Sequence, residues 1–333
     1  MKRNMTQWLT DIKADKKAMP ILSFPGIQII NESISDLVYS GQIQAKCMKA
    51  IADRYDISAS LSCMDLSVEA EAFGSEIRVS DDEVPTVIGS LITCEEDADL
   101  LRVPEVGEKR TGEYVKTIEY AVQEITDIPV LAGHIGPFSL AGRLMDMTEI
   151  MIMAYTEPET VHKVLEKTTA FLLKYVQAFL DAGANGVVIA EPAAGLLSPD
   201  MIAEFSTPYV KKIVEAFDND EFLVVYHNCG NTIPLIPSIL DTKARVLHFG
   251  NAIRLSEILP LIPEDVYVCG NVDPSSQFKN GTPESIKEDT LRVLNECSKY
   301  ENFIISSGCD IPPLSPLENI DSFFNTVKEF YTK

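Results

Sequence analysis

The chain has 333 residues and a formal net charge of −22, because 50 Asp and Glu residues outnumber 28 Lys and Arg residues. This balance argues against nucleic acid as the main partner, since phosphate contacts need clustered basic side chains, and it disfavours docking on anionic membranes. A chain this long buries a large core without disulfides, so its seven cysteines are expected to be reduced thiols, a few of them available as metal ligands.

The N-terminal segment predicts a helical extension over residues 1–19. It lacks the apolar core and the small-residue cleavage pattern of a signal peptide. No later stretch reaches the roughly 18–20 apolar residues that a membrane helix needs. We therefore expect a cytoplasmic protein.

From about residue 20 onward, short β-branched runs alternate with polar loops and amphipathic helices, which predicts a parallel sheet built from βαβ units. Eight strands are predicted: Ile21–Phe24, Ile57–Cys63, Pro129–Ile135, Gly186–Ala190, Glu221–Tyr226, Val246–Phe249, Val266–Cys269 and Phe303–Ser306. Eight is the number that a closed barrel of the triosephosphate isomerase type requires. The expected fold is therefore α/β, a single (β/α)8 barrel domain over residues 1–333.

The clearest predicted helix is Glu159–Ala182, where apolar residues recur at helical spacing and a glycine follows as a C-cap signal. Ser-Pro pairs, which are good N-cap and N1 residues, open two further predicted helices, Ser198–Phe217 and Ser315–Thr332. A small β-hairpin, formed by Ile77–Val79 and Val84–Ile88, is expected as an insertion after the second strand.

In a barrel of this type, the residues at the carboxyl ends of the strands face the active site. The predicted strands place these polar side chains there: Asp65, Glu191, His227, Cys229, Asn251, Asn271 and Cys309. Imidazole and thiolate together favour zinc over magnesium or calcium. His227-x-Cys229 alone is a weak signal, but with Cys309 at a third strand end it predicts a zinc site with three protein ligands and an open fourth position.

Two thiolate ligands make a zinc ion electron-rich and a poorer Lewis acid. Such a centre is suited to holding an external thiol as a thiolate that stays nucleophilic at neutral pH. Thiol alkylation is therefore the first reaction class to expect, and hydrolysis by zinc-bound water is the second.

Several motifs resemble one known family. They are GHIGPFSLAGRL at 133–144, GANGVVIAEPAAGLLSP at 183–199, HNCG at 227–230, GNVDP at 270–274 and SGCDIPPLSPLENI at 307–320. They resemble the uroporphyrinogen decarboxylase superfamily, and in particular its methylcobamide:coenzyme M methyltransferase branch, over essentially the whole chain from Pro20. The resemblance implies zinc on His227, Cys229 and Cys309. It also implies a small thiol that takes a methyl group from a methylated corrinoid carried on a separate small protein, with cobalt leaving as Co(I).

The sequence departs from the family in two places. The decarboxylase branch has an arginine-rich segment after the first strand, whereas residues 23–28 here read SFPGIQ. Porphyrinogen decarboxylation is therefore disfavoured, although a decarboxylase-like lyase and a non-catalytic corrinoid-binding protein stay as alternatives. Related zinc methyltransferases can offer a glutamate as a fourth ligand after the next strand, where this chain reads Phe249-Gly250-Asn251. An amide is a poor zinc ligand, so Glu191 or solvent is left for the fourth position.

The roles expected for the remaining polar residues are less specific. Glu191 and Asp65 are candidate catalytic carboxylates, with loop capping as the alternative. The residues Asn251, Asn271 and Asp273 are candidates for binding the corrinoid, with turn formation as the alternative. If the thiol carries a sulfonate, residues 136–143 offer a helix N-terminus and an arginine. His248 is expected to have no function. The acceptor thiol is left undecided between coenzyme M, homocysteine and another small thiol. Whether the chain forms a homo-oligomer is also left undecided.

Overall fold

Seven parallel strands form one sheet in the order β1-β4-β5-β6-β7-β8-β9, in a computed structural model that describes residues 2–332. A second sheet is the antiparallel pair β2-β3. The strands are β1 (Ser60–Leu61), β2 (Glu76–Arg78), β3 (Thr86–Ile88), β4 (Val130–Ile135), β5 (Gly186–Ala190), β6 (Leu223–Asn228), β7 (Val246–Phe249), β8 (Tyr267–Val272) and β9 (Phe303–Ser307). Every residue of the seven parallel strands is buried, as expected for a sheet covered by helices.

Four helices precede β1 and the others alternate with the strands along the chain. The helices are α1 (Met5–Asp15), α2 (Ile27–Ile30), α3 (Ile34–Tyr39), α4 (Gly41–Arg54), α5 (Val68–Phe73), α6 (Glu95–Leu100), α7 (Thr111–Glu124), α8 (Pro137–Met145), α9 (Met147–Thr156), α10 (Pro158–Asp181), α11 (Pro199–Phe205), α12 (Thr207–Phe217), α13 (Ile236–Asp241), α14 (Leu255–Ile258), α15 (Pro283–Cys297) and α16 (Leu317–Tyr331). The first helix packs its buried residues Met5, Leu9 and Ile12 against the inward-facing residues of the strands. Short 3-10 turns lie at Phe24–Gly26, Pro192–Leu196, Ile233–Leu235 and Leu259–Leu261, and a π-helical turn lies at Pro274–Lys279.

The predicted α/β barrel is confirmed, but the first predicted strand is wrong. Ile21–Phe24 forms no strand, because the chain enters a 3-10 turn at Phe24. The residues just before it close the barrel instead. Ala18 forms a parallel bridge with Ile57, and the Met19 amide donates to a carbonyl of β9 at 3.0 Å. The extended segment 18–21 therefore occupies the eighth position, between β1 and β9.

The predicted helices are largely confirmed. The first, Glu159–Ala182, corresponds to α10, whose apolar face is buried. The second, Ser198–Phe217, is split into α11 and α12, because Pro208 lacks the amide needed to continue the hydrogen-bond ladder. The third begins two residues later than predicted, as α16.

The predicted hairpin insertion is also confirmed, with Ile77 paired to Val87. In the part of the chain that the structure describes, no helix has both the length and the apolar character needed to cross a membrane.

Candidate metal centre

Three side chains with metal-binding atoms meet at the carboxyl end of the barrel. His227 lies near the end of β6, Cys229 follows that strand directly, and Cys309 lies two residues after β9. Their ligand atoms all lie within 4.8 Å of one another, and His227 Nε2 is 3.5 Å from Cys309 Sγ. His227 is buried and the two cysteines are half-buried. An imidazole and two thiols at this separation are a donor set that fits zinc with a fourth position left open.

Two glycines allow the backbone to pack closely around these residues. A Cβ atom at Gly250 would lie 2.6 Å from the Cβ of Cys229, closer than real side chains approach. A Cβ atom at Gly308 would lie 2.9 Å from the amide nitrogen of Asn251. The loops after β6, β7 and β9 therefore lie in direct contact, which brings the two cysteines together.

The two thiols lie within 4.8 Å of each other and influence each other's ionisation. Hydrogen bonding from Cys309, helped by the nearby His227, lowers the pKa of Cys229. The same hydrogen bond, together with burial, raises the pKa of Cys309 well above its usual value. One thiol therefore loses its proton easily while the other keeps it, which is the behaviour of two sulfurs that share a proton. Metal binding requires both thiols to ionise, so it displaces this proton.

A second histidine, His248, supports His227 from the neighbouring strand. The two residues are register partners on β6 and β7, and their Nδ1 atoms are 2.8 Å apart. His248 Nε2 lies 2.8 Å from Ser306 Oγ, which donates to the Met19 carbonyl at 2.7 Å. Burial lowers the pKa of His248 well below its usual value, so the ring is neutral. Sequence reasoning gave this residue no function; the available signal was that two adjacent predicted strands each carry a histidine near the end.

A cavity of about 60 Å³ adjoins this cluster. His227 and Cys309 form one wall, and the other lining residues are Ile21, Met64, Leu66, Ala190, Pro192 and Asp310. The lining is mainly apolar, so a sulfur atom seated there would have little contact with water.

Glu191 does not face this cavity; instead it caps helix α8. Its two carboxylate oxygens accept from the amides of Phe138 at 2.8 Å and Ser139 at 3.0 Å, and the Ser139 hydroxyl adds a third bond at 2.8 Å. Burial raises the pKa of Glu191 to about 7, although these hydrogen bonds oppose the shift. The N-terminus of helix α8, which the sequence predicts as a place for a sulfonate, is thus already occupied by the Glu191 carboxylate. A catalytic part for Glu191 stays a prediction.

Asp65 lies in a buried polar network. It forms an ion pair with Arg110, accepts from the Tyr114 hydroxyl at 3.0 Å, and accepts from the amide and hydroxyl of Ser67. Arg110 also pairs with Glu71 at 2.6 Å. Sequence reasoning missed Arg110 and Tyr114, which lie more than 40 positions from Asp65 and share no local motif with it. These contacts hold the loop after β1 in place, and a catalytic role for Asp65 stays a prediction.

The three residues predicted to bind the corrinoid line one cleft of about 480 Å³. Asn251 is exposed there and packs against Gly308, which places the cleft beside the metal cluster. The Asn271 amide group donates to the carbonyls of Gly250 and Ile253, at 3.0 and 2.8 Å. Asp273 accepts from two backbone amides of the turn that follows it. Asn271 and Asp273 therefore shape the cleft, whereas the Asn251 side chain packs against Gly308 and has no hydrogen bond to the backbone within residues 2–332.

Comparison with known proteins identifies the family to which the chain belongs. The uroporphyrinogen decarboxylase (URO-D) family matches residues 16–330. The chain belongs to this family. Methylcobamide:CoM methyltransferase MtbA of Methanosarcina acetivorans is 27% identical over 270 residues, which cover 80% of this chain and 78% of the relative. Uroporphyrinogen decarboxylase of Neisseria meningitidis is 25% identical over 310 residues, covering 89% and 85%.

A solved structure shows the same fold. A methyltransferase from Methanosarcina mazei superimposes with a TM-score of 0.86 over 99% of both chains, at 22% identity. A B12-independent methionine synthase from Shewanella matches more loosely, with a TM-score of 0.61 and 12% identity over 95% of this chain and 97% of the other. The resemblance to the methylcobamide:CoM methyltransferase branch that the motifs indicated is thus confirmed.

Proposed function

We propose that the protein is a methyltransferase that moves a methyl group from a methylated corrinoid to a small thiol, using a zinc ion held by His227, Cys229 and Cys309. The observation that carries the proposal is the gathering of one imidazole and two thiols within 4.8 Å at the mouth of the barrel. The methyltransferase relatives support the reaction class. Their identities, at or below 27%, leave the substrates to be tested on this chain.

When bound, zinc would hold the acceptor thiol as a thiolate at neutral pH. The protein's own contribution is to fix the three ligands and to seat the acceptor sulfur in the small apolar cavity beside His227 and Cys309. A thiolate shielded from water is a stronger nucleophile, because no hydration shell has to be removed before attack. Glu191 is an unsuitable fourth ligand, since both of its oxygens are engaged by helix α8.

The reaction would proceed by one displacement. The thiol releases its proton, its sulfur forms the new S–CH3 bond, and the electron pair of the carbon–cobalt bond stays with the corrinoid as Co(I). The corrinoid would approach over the mouth of the barrel on a separate carrier protein. The cleft lined by Asn251, Asn271 and Asp273 borders the metal cluster, and its exposed Asn251 amide is available to hydrogen-bond amide groups on the edge of a corrin ring.

A methyl-transfer assay tests the proposal. Zinc-loaded protein is mixed with methylcobalamin and, in turn, coenzyme M, homocysteine or 2-mercaptoethanol; loss of methylcobalamin is followed by absorbance and the thioether by mass spectrometry. We expect one thiol to be methylated, and Cys309→Ala to lower the rate about 100-fold or more. The matched control is Cys94→Ala, which removes another half-buried cysteine from outside the cluster.

Two results would contradict the proposal: no thioether from any of the thiols, or an unchanged rate in Cys309→Ala. Release of CO2 from uroporphyrinogen would instead favour the decarboxylase-like alternative. Tight corrinoid binding without consumption of thiol would favour the binding protein.

A further inference from the structure

We infer that His248 and Ser306 are positioning residues, which fix the proton of His227 on Nδ1 and so leave His227 Nε2 free to bind the metal. This inference rests on the proposed zinc site. It is carried by three consecutive hydrogen bonds, which run from the Met19 carbonyl through Ser306 and His248 to His227.

The direction of these bonds is set at the end that lies furthest from the metal cluster. A backbone carbonyl can only accept, so Ser306 donates its single hydroxyl proton to the Met19 oxygen, 2.7 Å away. The Ser306 oxygen must then accept in its second contact, which is with His248 Nε2 at 2.8 Å. His248 therefore carries a proton on Nε2.

The same reasoning continues through the two imidazole rings. A neutral histidine protonated on Nε2 has a lone pair on Nδ1. His248 Nδ1 lies 2.8 Å from His227 Nδ1, so His227 is the donor in that bond and carries its proton on Nδ1. Its Nε2 atom is then an unprotonated acceptor, and this is the atom that lies 3.5 Å from Cys309 Sγ. The ring of His227 thus presents a lone pair to the position between the cysteines.

The surroundings give these groups few other partners. His248 and Ser306 are 1% and 0% exposed, and His227 is 2% exposed. His248 borders a void of about 10 Å³ whose other lining residues are all apolar: Met19, Pro20, Ile21, Ala59, Leu61, Leu131, Val188 and Val225. A polar ring in such a place keeps the hydrogen bonds it has, because a lost bond would leave a buried polar group unpaired. The segment that closes the barrel is thereby linked to the metal ligand.

The first test reads the proton position directly. Nitrogen-15 NMR of histidine-labelled, zinc-free protein distinguishes the two tautomers, and the chain has only four histidines to assign. We expect His227 to be protonated on Nδ1 in the parent and to become a mixture of tautomers in Ser306→Ala. A parent His227 protonated on Nε2 would overturn the inference. This measurement needs no methyl transfer, so an inactive protein with the expected tautomer counts against the proposed function alone.

The second test measures zinc affinity by competition with a chelator. His248→Leu is expected to bind zinc about 10–100-fold more weakly, the usual effect of losing a partner that orients a ligand. His248→Gln should retain more of the affinity, because its amide can accept from His227 and donate to Ser306. The matched control is Ser307→Ala, which removes a buried hydroxyl that bonds the same closing segment at the Ile21 amide. The substitution keeps the Ser307 backbone, which is the part that interacts with His248.

Parent-like zinc affinity in a folded His248→Leu protein would contradict the inference. So would an equal loss in the Ser307→Ala control, because the effect would then come from general disturbance of β9. Thermal unfolding of each variant shows whether it is folded at the assay temperature.

Discussion

His227 Nε2 and Cys309 Sγ lie 3.5 Å apart although 82 positions separate them in the sequence. The strands that carry them, β6 and β9, are not neighbours, since β7 and β8 lie between them in the sheet. Only the curvature of the barrel brings their carboxyl ends to one mouth. The candidate metal centre is therefore a product of the fold, and changes that disturb the loops around it should affect metal binding first.

Gly250→Ala should weaken zinc binding about tenfold or more, measured by competition with a chelator. The added methyl group would lie 2.6 Å from the Cβ of Cys229 and 2.8 Å from its carbonyl oxygen, so that loop must move. As a control, Gly112→Ala on helix α7 places a methyl group 3.3 Å from the nearest atom, Gly107 Cα. Equal zinc affinity in the two variants would show that the close approach of Gly250 and Cys229 does not matter.

Arg110→Ala should lower the free energy of unfolding by about 3–5 kcal/mol, because it leaves the Asp65 carboxylate buried without its counter-charge. Arg110 is 3% exposed and pairs with both Asp65 and Glu71. Urea unfolding measures the change. The control is Arg102→Ala, which removes an exposed ion pair with Glu108 and should leave the stability nearly unchanged. Similar stability losses in the two variants would contradict this reading.

The stability should depend on pH through Glu69. Burial raises its pKa to about 8; one oxygen accepts from the Ile135 amide, and the other has no partner in the part of the chain that the structure describes. The charged groups that act on it are Asp65, which raises the pKa, and Arg110, which lowers it. Between about pH 4.3 and 8 the folded state holds a proton that the unfolded state has released, so stability falls as the pH rises.

Glu69→Gln should remove this dependence. Relative to the variant, the parent should lose at most about 1.4 kcal/mol per pH unit over that interval, as measured by urea unfolding at pH 5 and pH 8. Glu119→Gln, at an exposed glutamate, is the control and should follow the parent. A constant difference between the parent and Glu69→Gln at both pH values would rule out the buried proton.

Glu191→Ala tests whether this carboxylate is a cap or a metal ligand. Removing three hydrogen bonds at the first turn of helix α8 should lower the free energy of unfolding by about 1–3 kcal/mol. The zinc content, determined by elemental mass spectrometry, should stay at the parent value. Loss of zinc from a folded Glu191→Ala protein would instead make Glu191 the fourth ligand.

Much of the barrel could be predicted from the sequence, because most of its buried strands are short apolar runs followed by a polar or glycine-containing turn. The candidate ligands could be found for the same reason, since His227, Cys229 and Cys309 all follow such runs. The first strand was placed wrongly because the apolar run Ile21–Phe24 has strand composition, while the barrel is closed by the residues just before it.

The supporting residues could not be predicted in this way. His248 matters because strand register sets it opposite His227, and a register is fixed by the whole sheet. Arg110 immediately precedes helix α7 and meets Asp65 across an intervening hairpin, and no local pattern connects the two. Hydrophobic periodicity and the predicted strand ends locate side chains that share one edge of the sheet. The residues that support those side chains from neighbouring elements depend on three-dimensional packing.

The most direct test of the central claim is the zinc content of protein purified without added metal, measured by elemental mass spectrometry beside a Cys229→Ala, Cys309→Ala double variant. We predict about one zinc per chain in the parent and its loss in the folded double variant. A parent that holds no zinc, even after incubation with the metal, or a double variant that keeps it, would contradict the proposed site and the thiol activation that depends on it.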